Sequence, residues 1–247
     1  YTATQFIAMH ICILDNDTLD GELARRYTSF GAMFVQLFNS VEAQWTYDIF
    51  STQRGEYPAS FDAYDAVLLT GSASDAFSNE AWVVELRQRV TRLLAERKKM
   101  VGVCFGHQLI GLCMGAPVGR APQGWGKGRM AYNWHRQDLP GCEERQQIAL
   151  YVSHQDQVLA LPPGASLVAS SDFCPVAAFT VGEHVFCVQA HPEFDTFFSQ
   201  ALLDKHRERL GEAEHAAKSQ GLMAGHEGGE VARMVVAFLE NSPRSAG

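Results

Sequence analysis

The sequence predicts an α/β protein whose mostly parallel sheet is covered by helices on both faces. Near-continuous apolar runs, typical of strands buried on both faces, alternate in the first half with segments whose apolar residues recur at helical spacing. Apolar residues make up 47% of the 247 positions and charged residues 19%, which is ample core for one large domain. We therefore expect a single domain over residues 1–247, with a helical C-terminal extension from about residue 197.

The alternation in the first half is regular. It predicts strands at 6–14, 45–50, 64–69 and 100–103 and helices at 21–38 and 82–94. The order strand, helix, strand, strand, helix, strand, helix is that of a parallel sheet with both faces covered.

After Gly115 the pattern changes to short strands with hairpin-like spacing, which we expect to extend the same sheet as antiparallel strands. These strands are predicted at 129–134, 148–153, 166–170, 176–180 and 184–189. A polar helix at 197–220, a flexible break at 221–229 and an amphipathic helix at 231–239 complete the chain. The glycine-rich stretch 124–128 resembles a phosphate loop but lacks the preceding strand, the Ser or Thr after Lys127 and the following helix.

Composition excludes several classes of function. The formal net charge of −8 argues against a nucleic-acid partner, and no apolar stretch approaches the ~20 residues that span a bilayer. Six cysteines without a CxxC pair indicate free thiols and a cytoplasmic protein. The histidines lack metal-ligand spacing, so we expect no metal and no cofactor.

The segment Gly102-Val103-Cys104-Phe105-Gly106 has the pattern of a nucleophile elbow, with Cys in the place of Ser. A strand would deliver Cys104 to a tight turn, where glycines two residues away on either side keep the neighbouring backbone clear. The helix predicted to follow would present its N-terminus to the sulfur, which favours thiolate and can hold a developing oxyanion. Cys104 is therefore a candidate nucleophile.

A nucleophilic cysteine needs a base, and His191 is the best candidate. It follows an apolar strand-like run, where α/β folds place catalytic groups. Glu193, two residues further on, has the reach to orient the imidazole. His107 is closer in sequence but should point along the helix, away from the thiol.

Together, Gly102-Val103-Cys104-Phe105-Gly106-His107-Gln108 and His191-Pro192-Glu193 resemble the signature of class I glutamine amidotransferases. Thr70-Gly71-Ser72 and Ser153-His154-Gln155-Asp156 stand where two further family motifs are expected. The resemblance covers about three quarters of the chain and implies a flavodoxin-like core. A neighbouring family, the intracellular protease and chaperone group, has its catalytic His directly after the Cys, where this chain has Phe105.

The resemblance implies a reaction and roles for individual residues. Cys104 would attack a γ-carboxamide carbonyl to form a γ-glutamyl thioester, while His191 carries the proton and Glu193 orients it. The oxyanion hole would be formed by the backbone N–H groups of Gly71 and Phe105. The glutamyl moiety would be held by Gln108, Ser153 and His154.

The motifs do not identify an acceptor for the released amine or ammonia, and three alternatives remain. One alternative is a stand-alone γ-glutamyl hydrolase or peptidase. The motif details resemble the branch that includes plant γ-glutamyl peptidases, and the roughly fifty residues after Phe194 leave no room for a synthase domain. A second is a glutaminase subunit with a separate synthase partner. A third, of another class, is a non-catalytic regulatory domain. Residues 197–229 are expected to cap the active-site mouth or to form a surface for a homo-oligomer.

Overall fold

The computed structural model describes residues 8–139 and 146–241. Its first half contains β1 (His10–Asp15), α1 (Gly21–Tyr27), α2 (Phe30–Ser40), β2 (Thr46–Ser51), β3 (Ala66–Leu69), α3 (Ala81–Ala95), β4 (Lys99–Val103) and α4 (Phe105–Cys113). Its second half contains β5 (Val118–Arg120), β6 (Gly126–Trp134), β7 (Gln147–His154), β8 (Asp156–Val158), β9 (Ser166–Ser170), β10 (Ala178–Val181) and β11 (Val185–Val188). The last helices are α5 (Thr196–Lys205), α6 (Arg207–Leu210), α7 (Glu212–Leu222) and α8 (Gly228–Asn241).

The main sheet has nine strands in the order β2-β1-β3-β4-β11-β10-β9-β6-β7. The five strands from β2 to β11 pair in parallel. The pairs from β11 to β7 are antiparallel. Both the predicted parallel sheet and the antiparallel addition from the second half are confirmed.

Helices cover both faces of the sheet, as β1 illustrates. Ile11 and Ile13 pack in a core with the aromatic residues of α2 and the apolar face of α8, whereas Cys12 and Leu14 pack in a second core with α3 and α4. Successive strand residues point to opposite faces, so burial on both sides requires the continuous apolar run that the sequence contains.

Two predicted helices are interrupted. The helix expected at 21–38 divides into α1 and α2 at Thr28, which has a φ of 68° that a β-branched residue does not adopt inside a helix. Ser29 then caps α2, its Oγ accepting from the Ala32 N–H at 3.1 Å. The helix expected at 197–220 is three helices, separated at His206 and at Gly211, whose φ is 77°.

The other departures from the predicted elements are small. Lys127 lies inside β6, so residues 124–128 do not form a strand–loop–helix phosphate site. The start of the predicted first strand, Phe6 and Ile7, and one cysteine, Cys142, lie outside the described residues. In the part of the chain that is described, no helix combines the length and apolar character needed to cross a membrane.

Candidate active site

Cys104 occupies a strained turn between β4 and α4, with φ 52° and ψ −104°. Its backbone is fixed on both sides, because its N–H donates to the Val188 carbonyl and its carbonyl accepts from the Gln108 N–H, each at 3.0 Å. A Cβ at Gly106 would lie 2.5 Å from the Leu69 carbonyl oxygen, and one at Gly102 would lie 2.7 Å from the Gly106 backbone. Both glycines are therefore required for the close approach on which the elbow depends.

His191 lies beside Cys104 because their strands are neighbours. β4 and β11 pair in parallel with Val103 opposite Val188, so the residues that follow them meet at the same edge of the sheet. The His191 N–H donates to the Tyr151 carbonyl at 2.9 Å, and the imidazole stacks on Phe194 with ring centroids 3.8 Å apart. The ring therefore has a fixed position and plane.

His191 also has a fixed polar partner, Glu193. The Glu193 Oε1 lies 2.6 Å from His191 Nδ1, and both side chains are almost completely buried. Burial opposes protonation of His191, but the Glu193 carboxylate and the hydrogen-bonded Cys104 outweigh it and raise the pKa of the imidazole to about 10. Within the described residues, Glu193 Oε2 is buried without a hydrogen-bond partner, and a charged imidazole is what compensates such a carboxylate. His191 is therefore an imidazolium at neutral pH, placed beside the Cys104 sulfur as a partner for a nucleophilic thiol.

The backbone of Gly71 lies against both His191 and Cys104. A Cβ on Gly71 would lie 2.9 Å from His191 Cε1 and 3.6 Å from Cys104 Cβ, so its bare backbone faces both residues. Phe105 is the first residue of α4, where backbone N–H groups have no intrahelical acceptor, and its ring stacks on Trp82 at 5.6 Å. Both predicted oxyanion donors therefore belong to backbone that adjoins the sulfur, and their role stays a prediction.

Asn16 fixes the turn that contains Gly71, and sequence reasoning missed it. Its Nδ2 donates to the Thr70 carbonyl at 3.0 Å, and its N–H donates to Thr70 Oγ1 at 2.9 Å. Thr52 Oγ1 in turn donates to Asn16 Oδ1 at 2.9 Å, and all of these groups are buried. In the sequence, the only indication of a role for Asn16 was its place in the polar run 15–17 that follows the first predicted strand.

The three residues expected to hold the glutamyl moiety line one cleft with Cys104 and His191. Gln108 Nε2 donates to the Asp156 carbonyl and to Gln189 Oε1, which leaves the amide in one orientation. His154 is buried with Nδ1 3.1 Å from the Asp156 carbonyl, and burial lowers the pKa of this imidazole to about 4. Ser153 is half-buried beside it, with Oγ 3.3 Å from Lys127 Nζ. The substrate contacts themselves stay a prediction.

His107 does not reach this cleft. The side chain is completely buried, packs on Phe179 with ring centroids 5.1 Å apart and is not among the cleft-lining residues. Burial lowers its pKa to about 3, so the ring is neutral at physiological pH. His191 rather than His107 therefore lies beside the thiol, and its catalytic role stays a prediction.

The cleft has a volume of about 720 Å3, and helices near the C-terminus form one of its walls. Phe198, Leu202 and Lys205 reach it from α5, followed by His206 and Arg209. Only this first part of residues 197–229 lies in the wall of the cleft among the described residues. Both roles expected for the segment, a cap on the active-site mouth and a surface for a homo-oligomer, stay predictions. No motif indicated these wall residues, because they lie on a polar helical stretch.

The predicted break at 221–229 is shorter and more tightly held than expected, since only residues 223–227 separate α7 from α8. The His226 ring stacks on Tyr151 at 4.2 Å, and the Glu227 N–H donates to the Ala149 carbonyl at 2.8 Å. A Cβ at Gly228 would lie 2.2 Å from the Pro192 carbonyl oxygen. This segment therefore supports the His191-Pro192-Glu193 turn from behind.

Among residues 8–139 and 146–241, no three His, Cys, Asp or Glu side chains are grouped as a metal site. The polar groups at the cleft are instead those of a thiol, an imidazole and a carboxylate, with backbone N–H groups nearby. This arrangement suits acyl transfer through a covalent intermediate.

Comparison with known proteins identifies the family of the chain. The family model for class-I glutamine amidotransferases matches residues 26–203. Gamma-glutamyl peptidase 3 of Arabidopsis thaliana is 34% identical over 216 residues, which are 83% of this chain and 86% of the relative. A glutamine-hydrolysing GMP synthase of Caldicellulosiruptor saccharolyticus is 31% identical over 140 residues, 56% of this chain and 26% of the synthase.

The fold has solved counterparts as well. The crystal structure of a glutamine amidotransferase from Thermotoga maritima superposes with a TM-score of 0.73 at 19% sequence identity, covering 96% of this chain and 97% of that one. With a family model that spans most of the chain, a relative above 30% identity and a shared fold, the chain belongs to the class-I glutamine amidotransferase family.

Proposed function

We propose that this protein hydrolyses the amide bond of γ-glutamyl compounds, releasing glutamate and an amine. The observation that carries the proposal is the buried contact of His191 with Glu193 on one side and Cys104 on the other, at the edge of an open cleft.

The first half of the proposed reaction forms a thioester. The Cys104 thiolate attacks the γ-carbonyl carbon, a C–S bond forms, and the oxyanion accepts hydrogen bonds from the N–H groups of Gly71 and Phe105. The C–N bond then breaks as the His191 imidazolium gives its proton to the leaving amine. A protonated imidazole is the required starting state, and the raised pKa of His191 supplies it.

The second half releases glutamate. Neutral His191 accepts a proton from a water molecule as that water attacks the thioester carbonyl, and the C–S bond breaks. The Cys104 thiolate and the His191 imidazolium are thereby restored. Glu193 stabilises the imidazolium in both halves without moving, because its Oε1 is already 2.6 Å from Nδ1.

Similarity favours hydrolysis over ammonia transfer. The chain aligns with 86% of the length of the Arabidopsis γ-glutamyl peptidase, whereas the aligned part of the GMP synthase is 26% of that enzyme. The second candidate, a glutaminase that delivers ammonia to a separate synthase, rests on the GMP synthase similarity.

An assay of glutamate release from purified protein tests the proposal. Substrates would include γ-glutamyl dipeptides, γ-glutamyl amides and free glutamine, without any partner protein. We expect hydrolysis of γ-glutamyl peptides, trapping of a glutamylated Cys104 in the mass spectrum after acid quench, and complete loss in Cys104→Ala. Cys113→Ala, which removes a half-buried thiol of the same helix, is the matched control and should retain activity. If Cys104→Ala keeps its activity on these substrates, the mechanism is refuted. If the wild type hydrolyses none of them without a partner protein, the second candidate is favoured.

A further inference from the structure

Basic side chains surround one aromatic ring at the mouth of the cleft. Trp125, Lys205 and Arg209 line the cleft, and Lys127 lies behind them on β6. Lys127 Nζ is 4.3 Å from the centroid of the Trp125 ring, and Arg209 Cζ is 5.6 Å from it. Both cations are within the ~6 Å over which an aromatic face attracts positive charge. Two cations thus share one ring.

Within residues 8–139 and 146–241, no carboxylate lies at ion-pair distance from Lys127, Lys205 or Arg209. Three acidic side chains of α5 and α7 are paired elsewhere, Glu212 with Arg207 at 2.6 Å, Glu214 with Lys218 at 3.5 Å and Asp204 with His215 at 2.7 Å. Glu208 of α6 is exposed.

Lys127 makes the excess of positive charge unusual, because it is only 2% exposed. A buried ammonium normally has a carboxylate partner, but here Nζ donates to Ser153 Oγ at 3.3 Å. Burial, together with the nearby charges of Arg209 and Lys218, lowers the pKa of Lys127 to about 8. The chain tolerates this repulsion at a position directly adjoining the cleft, and a bound anion would relieve it.

The rest of the cleft has the opposite character. Asp17 and Asp20 also line the cleft, and Arg120 in it is shared between Asp75 and Asp156. An anionic group of a ligand therefore has one complementary wall, the one formed by α5 and α6 around Trp125. This wall is exposed at the mouth, whereas Gln108 and His154 are buried at the floor.

We propose that Trp125, Lys205 and Arg209, supported by Lys127, form a subsite for a carboxylate carried by the leaving amine. The inference rests on the proposed function, since it places the constant glutamyl group on the buried floor and the variable amine at the exposed mouth. The preferred substrate is then a γ-glutamyl amino acid or peptide with a free C-terminal carboxylate. Unsubstituted glutamine, whose leaving group is ammonia, makes no use of this wall.

The test compares two compounds that differ only in that charge, γ-glutamylglycine and γ-glutamylglycinamide. We expect the wild type to have at least about a tenfold higher kcat/KM for the carboxylate, the usual magnitude of one charge-assisted hydrogen bond. Lys205→Gln and Arg209→Gln should each lower the ratio of the two kcat/KM values about tenfold. The matched control is Arg207→Gln, on the same helix but paired with Glu212 outside the cleft, and it should keep the wild-type ratio.

The proposal fails if the wild type does not distinguish the two compounds. It also fails if Arg209→Gln and Lys205→Gln lower kcat/KM equally for both, because the cations would then bind the glutamyl α-carboxylate. Calorimetric binding to Cys104→Ala separates this result from the fate of the proposed function. If Cys104→Ala binds the carboxylate compound more tightly than the amide and Arg209→Gln abolishes this difference, the subsite is supported even without turnover. If hydrolysis depends on Cys104 but does not distinguish the two compounds, the proposed function stands and the subsite is refuted.

Discussion

The backbone of Gly228 packs directly against the carbonyl of Pro192, so that a Cβ at position 228 would lie 2.2 Å from that oxygen and 2.5 Å from His226 Cε1. This contact joins the first residue of α8 to the turn between the candidate base and its carboxylate. The C-terminal helix is therefore part of what holds His191 in place, although it contributes no side chain to the cleft.

Gly228→Ala should reduce both stability and activity. Neither the Pro192 carbonyl nor the stacked His226 ring has room to yield, so we expect a loss of about 1–3 kcal/mol in the free energy of unfolding, typical of overpacking. Urea denaturation and kcat/KM measure the two effects. Gly229→Ala is the control, because its Cβ would meet only Arg233 Nη1 at 3.8 Å, and it should be neutral or slightly stabilising. Equal behaviour of the two variants would contradict the packing argument.

Gly71→Ala should reduce kcat by at least about a hundredfold, because the added methyl would lie 2.9 Å from His191 Cε1 and displace either the imidazole or the backbone N–H beside Cys104. Steady-state kinetics on a γ-glutamyl peptide measures the loss. Gly221→Ala, where a Cβ meets nothing within 4 Å, should leave the rate unchanged. A fully active Gly71→Ala enzyme would exclude this backbone from the oxyanion hole.

Asn16→Ala should lower kcat more than it raises KM, since it removes the buried bond from Nδ2 to the Thr70 carbonyl and the Oδ1 that accepts from Thr52 Oγ1, while the backbone N–H bond to Thr70 Oγ1 is kept. We expect a stability loss of about 1–3 kcal/mol from the unpaired Thr70 carbonyl. Thr70→Ser retains the hydroxyl that accepts from the Asn16 N–H and should remain close to wild type. A change confined to unfolding, with kcat intact, would reduce Asn16 to a structural role.

Glu193→Gln should shift the alkaline limb of the pH profile to lower pH. The pKa of His191 is raised to about 10 by Glu193 and Cys104, against the effect of burial, so the imidazolium persists from acid pH up to that value. A neutral amide removes the larger of the two stabilising charges, and His191 then loses its proton earlier as the pH rises. The kcat/KM profile of Glu208→Gln, an exposed carboxylate on α6, should match the wild type. If the alkaline limb of Glu193→Gln lies at the same pH as in the wild type, that limb does not reflect the deprotonation of His191.

The same raised pKa has a consequence for folding. A group whose pKa is higher in the folded than in the unfolded state stabilises the fold when it is protonated. For His191 this contribution is complete below the unfolded pKa of ~6.5 and is lost as the pH rises towards the folded pKa of about 10. Unfolding measured between pH 6 and 10 should therefore show a smaller decline in Glu193→Gln than in the wild type. Parallel declines would indicate that other groups dominate.

The positions of Cys104 and His191 were predictable because parallel strands that neighbour each other end at one edge, and because glycine spacing marks a turn with close backbone contacts. The division of α1 from α2 was missed, since the apolar period continues across Thr28 while the break depends on the Ser29 cap. The basic wall of the cleft was not predictable either. Lys205 and Arg209 lie on exposed polar helices, where sequence pattern does not indicate which face meets the cleft.

Among the described residues, burial of the other thiols leaves Cys104 as the thiol suited to titrating the active site. Burial raises the pKa of Cys12 and Cys174 to about 12, and it also raises the pKa of Cys113 and Cys187 above their ordinary values. Among the described cysteines, Cys104 alone faces an imidazolium in an open cleft. A small alkylating reagent at neutral pH should therefore label Cys104 first among the described cysteines, and peptide mapping of that label would count the competent molecules in a preparation.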